Sequence, residues 1–375
     1  MFPLTPQQKE QQQAFRDFVD EAILPYADVY DQEERTPAAL IQHLGQKGYL
    51  GALIPQQWQG SNMDMITFGL LNEEIGRGCS SIRSLLTVHS MNAYAILRWG
   101  SSVQKERWLP RMASGEVIGA FGLSEPDVGS DAKSIETTAE PYENAYVLNG
   151  LKKWTTYGQI AHLFLIFAQC NGRVSAFLVP RDTPGLQVKP LHGMLGTRAS
   201  MLAELHLQEC RVAKEALIGG NGFGLAAVAT SALDIGRYSV AWGCVGLAQR
   251  CLELSLQYAS ERKQFGVLLK EHQLIQRMLT DMITQVKAAR LLCLQAGYSK
   301  TSGAPETIME TWIAKYFAST TAVSAANDAV QIQGAHGCSN ASSVQRYLRD
   351  AKIMEIIEGS TQIQQITIAH YGYQS

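Results

Sequence analysis

Four short segments gather side chains able to do chemistry on a bound ligand. In RDAKIMEIIEGSTQIQ, Glu358 follows Ile356 and Ile357 and precedes Gly359, an apolar setting that would desolvate its carboxylate. Desolvation disfavours the charged form and raises a carboxyl pKa by up to about 3 to 5 units, toward a value that suits a general base. Glu355 lies one helical turn earlier and is the rival, and the residue types alone do not choose between them. Both would be unremarked positions if this were a surface helix. Arg349 and Asp350, in the same stretch, read as a structural ion pair or a helix-packing contact.

The segment FGLSEPDVGSD, Phe121 to Asp131, sets small, polar and Gly residues after a short apolar strand. Such a loop brings backbone N–H groups and hydroxyls close to a flat or anionic ligand; the competing reading is a tight turn with capping residues. In KKWTTYG, Lys152 to Gly158, an indole beside two hydroxyls could cover a ring and donate to its heteroatoms, or could be core. In ERKQFGVLLKEHQ, Arg262 and Lys263 fall in a break between two helices. The planar fork of Arg262 suits a diphosphate, and a solvated surface charge is the alternative.

Three kinds of element must position these residues. Thr5 reads as an N-cap with Pro6 at the first helical position, and apolar residues recur at helical spacing from Phe15 to Ile23 within a helix expected over 5–31. Helical patterns run on to about Gly115. Between Val117 and Val212 the runs HLFLIFAQ, RVSAFLVPRD, LQVKPL and AELHLQECRV are short and β-rich. Four long amphipathic stretches follow, about 225–260, 272–299, 305–333 and 342–370, and suggest a bundle. The expected fold is therefore α+β: an N-terminal helical domain (1–116), a middle β-barrel or sandwich domain (117–224) and a C-terminal four-helix bundle (225–375). The cluster GGNGFG, Gly219 to Gly224, lacks GxGxxG spacing and reads as a β-to-α connector rather than a dinucleotide loop.

At 375 residues with 46% hydrophobic and 18% charged residues, the chain is long enough for two or three packed subdomains. A formal net charge of -2 gives no basic stripe for nucleic acid. Seven cysteines, none at CxxC spacing, fit buried thiols in a reducing compartment. No HxxxH or HExxH supports a metal, and no run of apolar residues suggests a leader or a membrane span. The expectation is a soluble, cytoplasmic protein.

Taken in order, GSSVQKERWLPRMASGE, FGLSEPDVGSD, LNGLKKWTT, ERKQFG followed by HQ, QIQGAHG and RDAKIMEIIEGSTQIQ resemble the acyl-CoA dehydrogenase family of flavoenzymes over nearly the whole chain. The resemblance implies FAD between the β domain and the C-terminal bundle, with a second subunit completing the site in a homodimer or homotetramer. It implies that Phe121, Leu123 and Ser124 contact the isoalloxazine, with Gly129 in the same loop, and that Ser130 meets the diphosphate or the substrate arm. Trp154 and Thr156 would cover the ring. Arg262, Gln264 and Phe265, with Gln331 and Gly334 of the neighbouring chain, would hold the ADP half, and Ser360 and Gln362 would face the flavin. Glu358 matches the catalytic base, which takes the α-proton of a thioester while a hydride leaves the β-carbon. Its backbone N–H and a ribityl hydroxyl would bind the thioester oxygen, as an oxyanion hole does. Asp234, Arg237 and Gly359 match positions beside the substrate. The family's usual residues are replaced at Ser124, Ala335 and Ser360, with the hydroxyls kept.

A narrower resemblance joins CSSIRSLLTVHSM, GRYSVAWGCVG and AKIMEIIEGS to the dehydrogenase-like enzymes that build hydroxymalonyl or methoxymalonyl units on an acyl carrier protein in polyketide pathways. It implies a short, polar, glyceryl-derived acyl group on phosphopantetheine. Trp242 and Met354 could shorten such a pocket or could be core. Two alternatives stand beside this reading: an ordinary acyl-CoA dehydrogenase acting on a CoA thioester, and a flavoprotein kept as a binding or assembly partner. Electron-transfer flavoprotein or O2 would be the acceptor.

Overall fold

The computed structural model describes residues 3–373, so residues 1–2 and 374–375, the outer ends of the expected domains, lie outside it. Six helices come first: α1 (Pro6–Ala22), α2 (Ala27–Gln32), α3 (Ala38–Gln46), α4 (Met65–Gly78), α5 (Ser80–Trp99) and α6 (Ser102–Ala113). Thr5 caps α1 by accepting from Gln8 N, and the Gln8 side chain returns the bond. The single helix expected over 5–31 is two, because Pro25 has no N–H to continue the ladder. Helix α5 is buried around most of its circumference, with Arg83, Thr87, His89 and Asn92 shut in among its apolar residues.

The β region holds β1 (Gly119–Gly122), β2 (Thr138–Tyr142), β3 (Ala145–Thr155), β4 (Leu163–Cys170), β5 (Arg173–Pro180), β6 (Leu186–Pro190), β7 (Ala203–Ala213) and β8 (Leu217–Ile218). They form one eight-stranded sheet in the order β6-β7-β3-β2-β4-β5-β8, with β1 parallel to β4. The expected β domain thus takes the form of a single sheet. Strand β4 is buried almost throughout, as a continuous apolar run requires.

Gly219, Gly220 and Gly222 turn the chain out of β8, as a connector should, into a π-helical turn (Gly224–Ala229) that opens α7 (Thr230–Glu261). A two-stranded hairpin, β9 (Lys263–Gln264) and β10 (Val267–Leu268), precedes α8 (Gln273–Ser302), α9 (Thr307–Gln333), α10 (Val344–Met354) and α11 (Thr361–Gly372). The fourth stretch of the bundle was expected unbroken over 342–370. It is interrupted between α10 and α11, where Glu358 (φ 57°) and Gly359 (φ 96°) enter the left-handed region. Ser360 caps the restarted helix by accepting from Ile363 N. Apolar periodicity survives such a break, so the pattern alone does not disclose it.

Arg349 and Asp350 are packing contacts, as expected. Arg349 pairs with Asp31 and donates to Leu195 O, while Asp350 accepts from Thr197 N at 2.6 Å. They tie α10 to α2 and to the turn before β7. Of the seven cysteines, none is in a disulfide and only Cys338 is exposed. Among the described residues no helix is long and apolar enough to cross a membrane, and no group of His, Cys, Asp or Glu could hold a metal ion.

Candidate active site

The break between α10 and α11 is held by three donors. Arg237 Nε on α7 donates to Glu358 O at 2.9 Å, and Lys315 Nζ on α9 and Gln364 Nε2 on α11 each donate to Gly359 O at 2.9 Å. A left-handed backbone at a non-glycine residue costs about 1 to 3 kcal/mol and persists where its surroundings over-determine it; here the clamp does so. The Glu358 N–H has no acceptor among the described residues.

The clamp drives the Glu358 side chain inward against α7. A Cβ placed on Gly236 would lie 2.6 Å from Glu358 Oε2 and 2.8 Å from Met91 Sδ, so only glycine admits the carboxylate there. Oε2 is shut off from solvent with no hydrogen-bond partner. Burial pushes the Glu358 carboxyl up to about 7, against the opposing pull of Arg237, Lys315 and Arg83. Burial likewise pushes Lys315 down to about 8. Glu355, the rival, instead pairs with Lys352 at 2.7 Å and lends its carbonyl to Thr361 N. One carboxylate is therefore spent on a local pair and the other left bare, a difference set by the backbone reversal.

Around Glu358 lie Arg237, whose guanidinium sits 4.0 Å over the Trp312 ring, and Asp234, paired with Lys300. Asp234 Oδ1 and Gln364 Oε1 are buried without partners. Behind the carboxylate the sequence reading missed Arg83, which donates to Thr87 Oγ1 (2.6 Å) and to Met354 Sδ (3.2 Å). Thr87 Oγ1 in turn meets Ser239 Oγ, which bonds Asn72 Oδ1, both at 2.6 Å. Arg83 stood in a quoted segment, but its burial could not be read from one helix. Trp242 fills the core between Gly69 and Tyr238, and Met354 is buried against Arg83. Of the two readings left open for them, core packing describes Trp242, while Met354 also touches the guanidinium.

The segments expected to meet a flavin come together on the sheet. A register break between Lys152 and Thr155 in the β3–β7 pairing, with Trp154 at φ 57°, turns the indole outward, 42% exposed. Thr156 follows in the turn, half-buried, and Thr155 Oγ1 is buried without a partner. Phe121 packs against Phe167 from β1, Leu123 is buried and Ser124 accepts at its carbonyl from Lys153 N. Gly129 and Ser130 are exposed, and a Cβ on Gly129 would meet nothing within 4 Å. Glu125 fixes this loop, accepting from Glu136 N, Thr137 N, Thr137 Oγ1 and Lys152 Nζ, the last a fully buried ion pair at 2.6 Å. An outward ring, free hydroxyls and open backbone fit a flat cofactor.

Arg262, Gln264 and Phe265 lie elsewhere. Arg262 caps the far end of α7, Gln264 is exposed in the hairpin and Phe265 is 95% exposed at φ 54°. Arg262 shares a groove of about 520 Å³ with Tyr258, Gln333 and His336, at the turn that holds Gly334; Gln331 is exposed beside it. Gly236 and Glu261 are 25 residues apart on α7, about 38 Å at about 1.5 Å per residue, so one FAD cannot touch Glu358 and Arg262 of the same chain. Ser360 spends its hydroxyl on the α11 cap, and Gln362 is exposed.

Comparison with known proteins places this geometry. Models of the acyl-CoA dehydrogenase N-terminal, middle and C-terminal domains match residues 5–116, 120–210 and 220–372. The mitochondrial short-chain specific acyl-CoA dehydrogenase of Rattus norvegicus is 38% identical over 363 residues, 95% of this chain and 88% of that one. The structure of the prolyl acyl carrier protein oxidase AnaB superposes with a TM-score of 0.93 at 28% identity, covering 98% of this chain and 99% of its own. That of FkbI, for biosynthesis of the methoxymalonyl extender unit of a polyketide immunosuppressant, gives 0.89 at 31%, covering 97% and 99%.

Proposed function

The chain belongs to the acyl-CoA dehydrogenase family, and from that premise we propose that it oxidises a short, polar acyl group carried by an acyl carrier protein, as in the making of hydroxymalonyl or methoxymalonyl extender units. Members of the family are FAD-dependent oxidoreductases acting on acyl thioesters. The observation that carries the finer reading is the wall behind Glu358. Arg83, Thr87, Ser239 and Asn72 form a buried polar chain where a fatty-acyl tail would want apolar contacts. The likeness to AnaB and FkbI favours a carrier-borne group.

When bound, FAD supplies the two-electron acceptor for the substrate's β-carbon. Glu358, held near its neutral midpoint by burial, takes the α-proton on Oε2, the oxygen left without a partner. The unengaged Glu358 N–H donates to the thioester oxygen as negative charge develops there. Arg237, Lys315 and Gln364 keep that N–H and the carboxylate in place by gripping the two carbonyls that follow them. Trp154, Thr156, Ser124, Gly129 and Ser130 of one protomer hold the flavin end, and Arg262, Gln264, Phe265, Gln331 and Gly334 of a second protomer hold the ADP end. The length of α7 supports this division and hence a homodimer or larger assembly.

Anaerobic stopped-flow reduction with matched thioesters tests the reading. A short hydroxyacyl group should bleach the flavin much faster on a carrier protein than on CoA. Rapid bleaching by butyryl-CoA, with none by the carrier-linked group, would instead establish an ordinary short-chain acyl-CoA dehydrogenase, the reading that the rat relative favours.

A further inference from the structure

We propose that the cleft between α3 and one end of the β-sheet is a second ligand site, built for a phosphate monoester that carries a flat or apolar body. None of the residues placed at the candidate active site lines this cleft, and the site does not depend on the acyl-thioester chemistry.

The sheet brings the donors together. Strand β1 runs parallel to β4 and β5 returns antiparallel to it, so the residues just before β1 and β4 and just after β5 share one end of the sheet. They are Ile118, His162 and Arg181. With Arg35 and α3 they enclose about 710 Å³, within the range of about 300 to 1,000 Å³ that ligand pockets commonly span.

Local bonds fix what these side chains can offer. Ile118 N donates to His162 Nδ1 at 3.1 Å, so the neutral ring carries its proton on Nε2, which has no acceptor among the described residues. Burial, reinforced by the charges of Arg181 and Arg111 and opposed by Glu116, holds the His162 pKa below its ordinary value. Arg181 is braced: its backbone N–H donates to His162 O at 2.9 Å, and Nη1 donates to Gly158 O and Ala161 O at 3.0 and 3.1 Å. Its Nε and Nη2 stay unengaged, and the Arg35 side chain makes no hydrogen bond or ion pair among the described residues. Glu116, the carboxylate on the wall, is already neutralised by Arg111 at 2.8 Å.

Two guanidinium charges without an anion match a dianion, and their planar forks suit phosphate oxygens. The imidazole N–H is a further donor, and a phosphate monoester has three terminal oxygens to receive such bonds, where a carboxylate has two and a single charge. Ile41, Ile118 and Met201, all buried, line the same cleft and give it an apolar floor, which a bare ion would leave uncovered.

The test uses the holoenzyme with FAD in place. Titration calorimetry with AMP, ribose 5-phosphate, inorganic phosphate and adenosine separates a nucleotide from a sugar phosphate, a free ion and an uncharged body, and NMR of 13C-labelled histidine reports on His162. AMP should bind about 10-fold more tightly than inorganic phosphate, the gain from covering about 60 Å² of apolar floor. Ribose 5-phosphate should fall between them, and adenosine should not bind. Bound phosphate should raise the His162 pKa, because a nearby dianion favours the imidazolium. Arg35→Gln and Arg181→Gln should each weaken AMP by about 10- to 10²-fold through loss of charge-assisted hydrogen bonds. Arg35→Gln removes no bond of the fold, so it decides the matter even if Arg181→Gln disturbs the turn at Gly158. AMP bound no more tightly than inorganic phosphate or ribose 5-phosphate, adenosine bound as tightly as AMP, a His162 signal indifferent to AMP, or wild-type affinity in Arg35→Gln would each overturn the proposal.

Discussion

Replacing Gly236 by alanine adds one methyl group to the wall that Glu358 leans on, and its effect can be worked from the contacts. The new Cβ would stand 2.6 Å from Oε2 and 2.7 Å from Cδ of Glu358, where ordinary contact begins near 3.4 Å. The carboxylate must retreat by roughly 0.8 Å, and a misplacement of about 1 Å at a reacting group can cost about 10²-fold in rate. Overpacking costs about 1 to 3 kcal/mol, while alanine gains up to about 1 kcal/mol over glycine inside a helix. The fold should therefore survive with its flavin, because the nearest neighbours of the new Cβ are Glu358 and Met91 rather than Trp154 or the loop from Phe121. Single-turnover flavin reduction should fall about 10²-fold while the FAD content and the visible spectrum stay those of the wild type. Wild-type reduction with an unchanged pH profile would mean that Glu358 is not the base or does not work from this position.

Glu358→Gln should keep FAD yet lose substrate bleaching by on the order of 10²-fold or more, while Glu355→Gln, which breaks only the pair with Lys352, should be mild in the same assay. The rate of the chemical step in wild type should rise with pH through a midpoint near 7, since the carboxyl is raised and only its deprotonated form accepts a proton; a flat profile from pH 5 to 9 would contradict that role. Lys152→Met removes the counter-charge of the Glu125 carboxylate, which keeps its bonds from Glu136 and Thr137, and should cost up to about 3 to 5 kcal/mol, seen as a lower melting temperature and weaker FAD retention. Arg262→Ala should lower FAD occupancy by loss of a charge-assisted hydrogen bond worth about 1.5 to 3 kcal/mol, measured from the ratio of visible to ultraviolet absorbance.

Much of this was legible in the sequence because it depends on neighbours in the chain. The N-cap at Thr5, the β-rich runs, the break at Arg262 and the turn at 219–224 are local events, and local chemistry announces them. What escaped was set by backbone reversal or by distant packing. The choice between Glu355 and Glu358 hinges on a left-handed residue that periodicity passes over, sustained by Arg237 and Lys315 from two other helices. Arg83 and Lys315 were missed for a related reason. Helices buried on nearly every side, such as α5, carry no polar stripe against which an inward cation would stand out. For Trp242 the sequence leaves pocket-shortening and core packing both open, because the glycine that makes room for it, Gly69, lies on a separate helix.

The length of α7 has a consequence for inheritance. If Glu358 and Arg262 of one polypeptide serve different flavins, as proposed, two defective alleles should repair each other. A mixed dimer of one Glu358→Gln chain and one Arg262→Ala chain gathers both lesions into a single pocket and leaves the other wholly wild type. Co-expression of the two alleles would then restore a share of the activity that neither has alone, and joining both changes in one chain beside a wild-type partner would spoil both pockets of the pair.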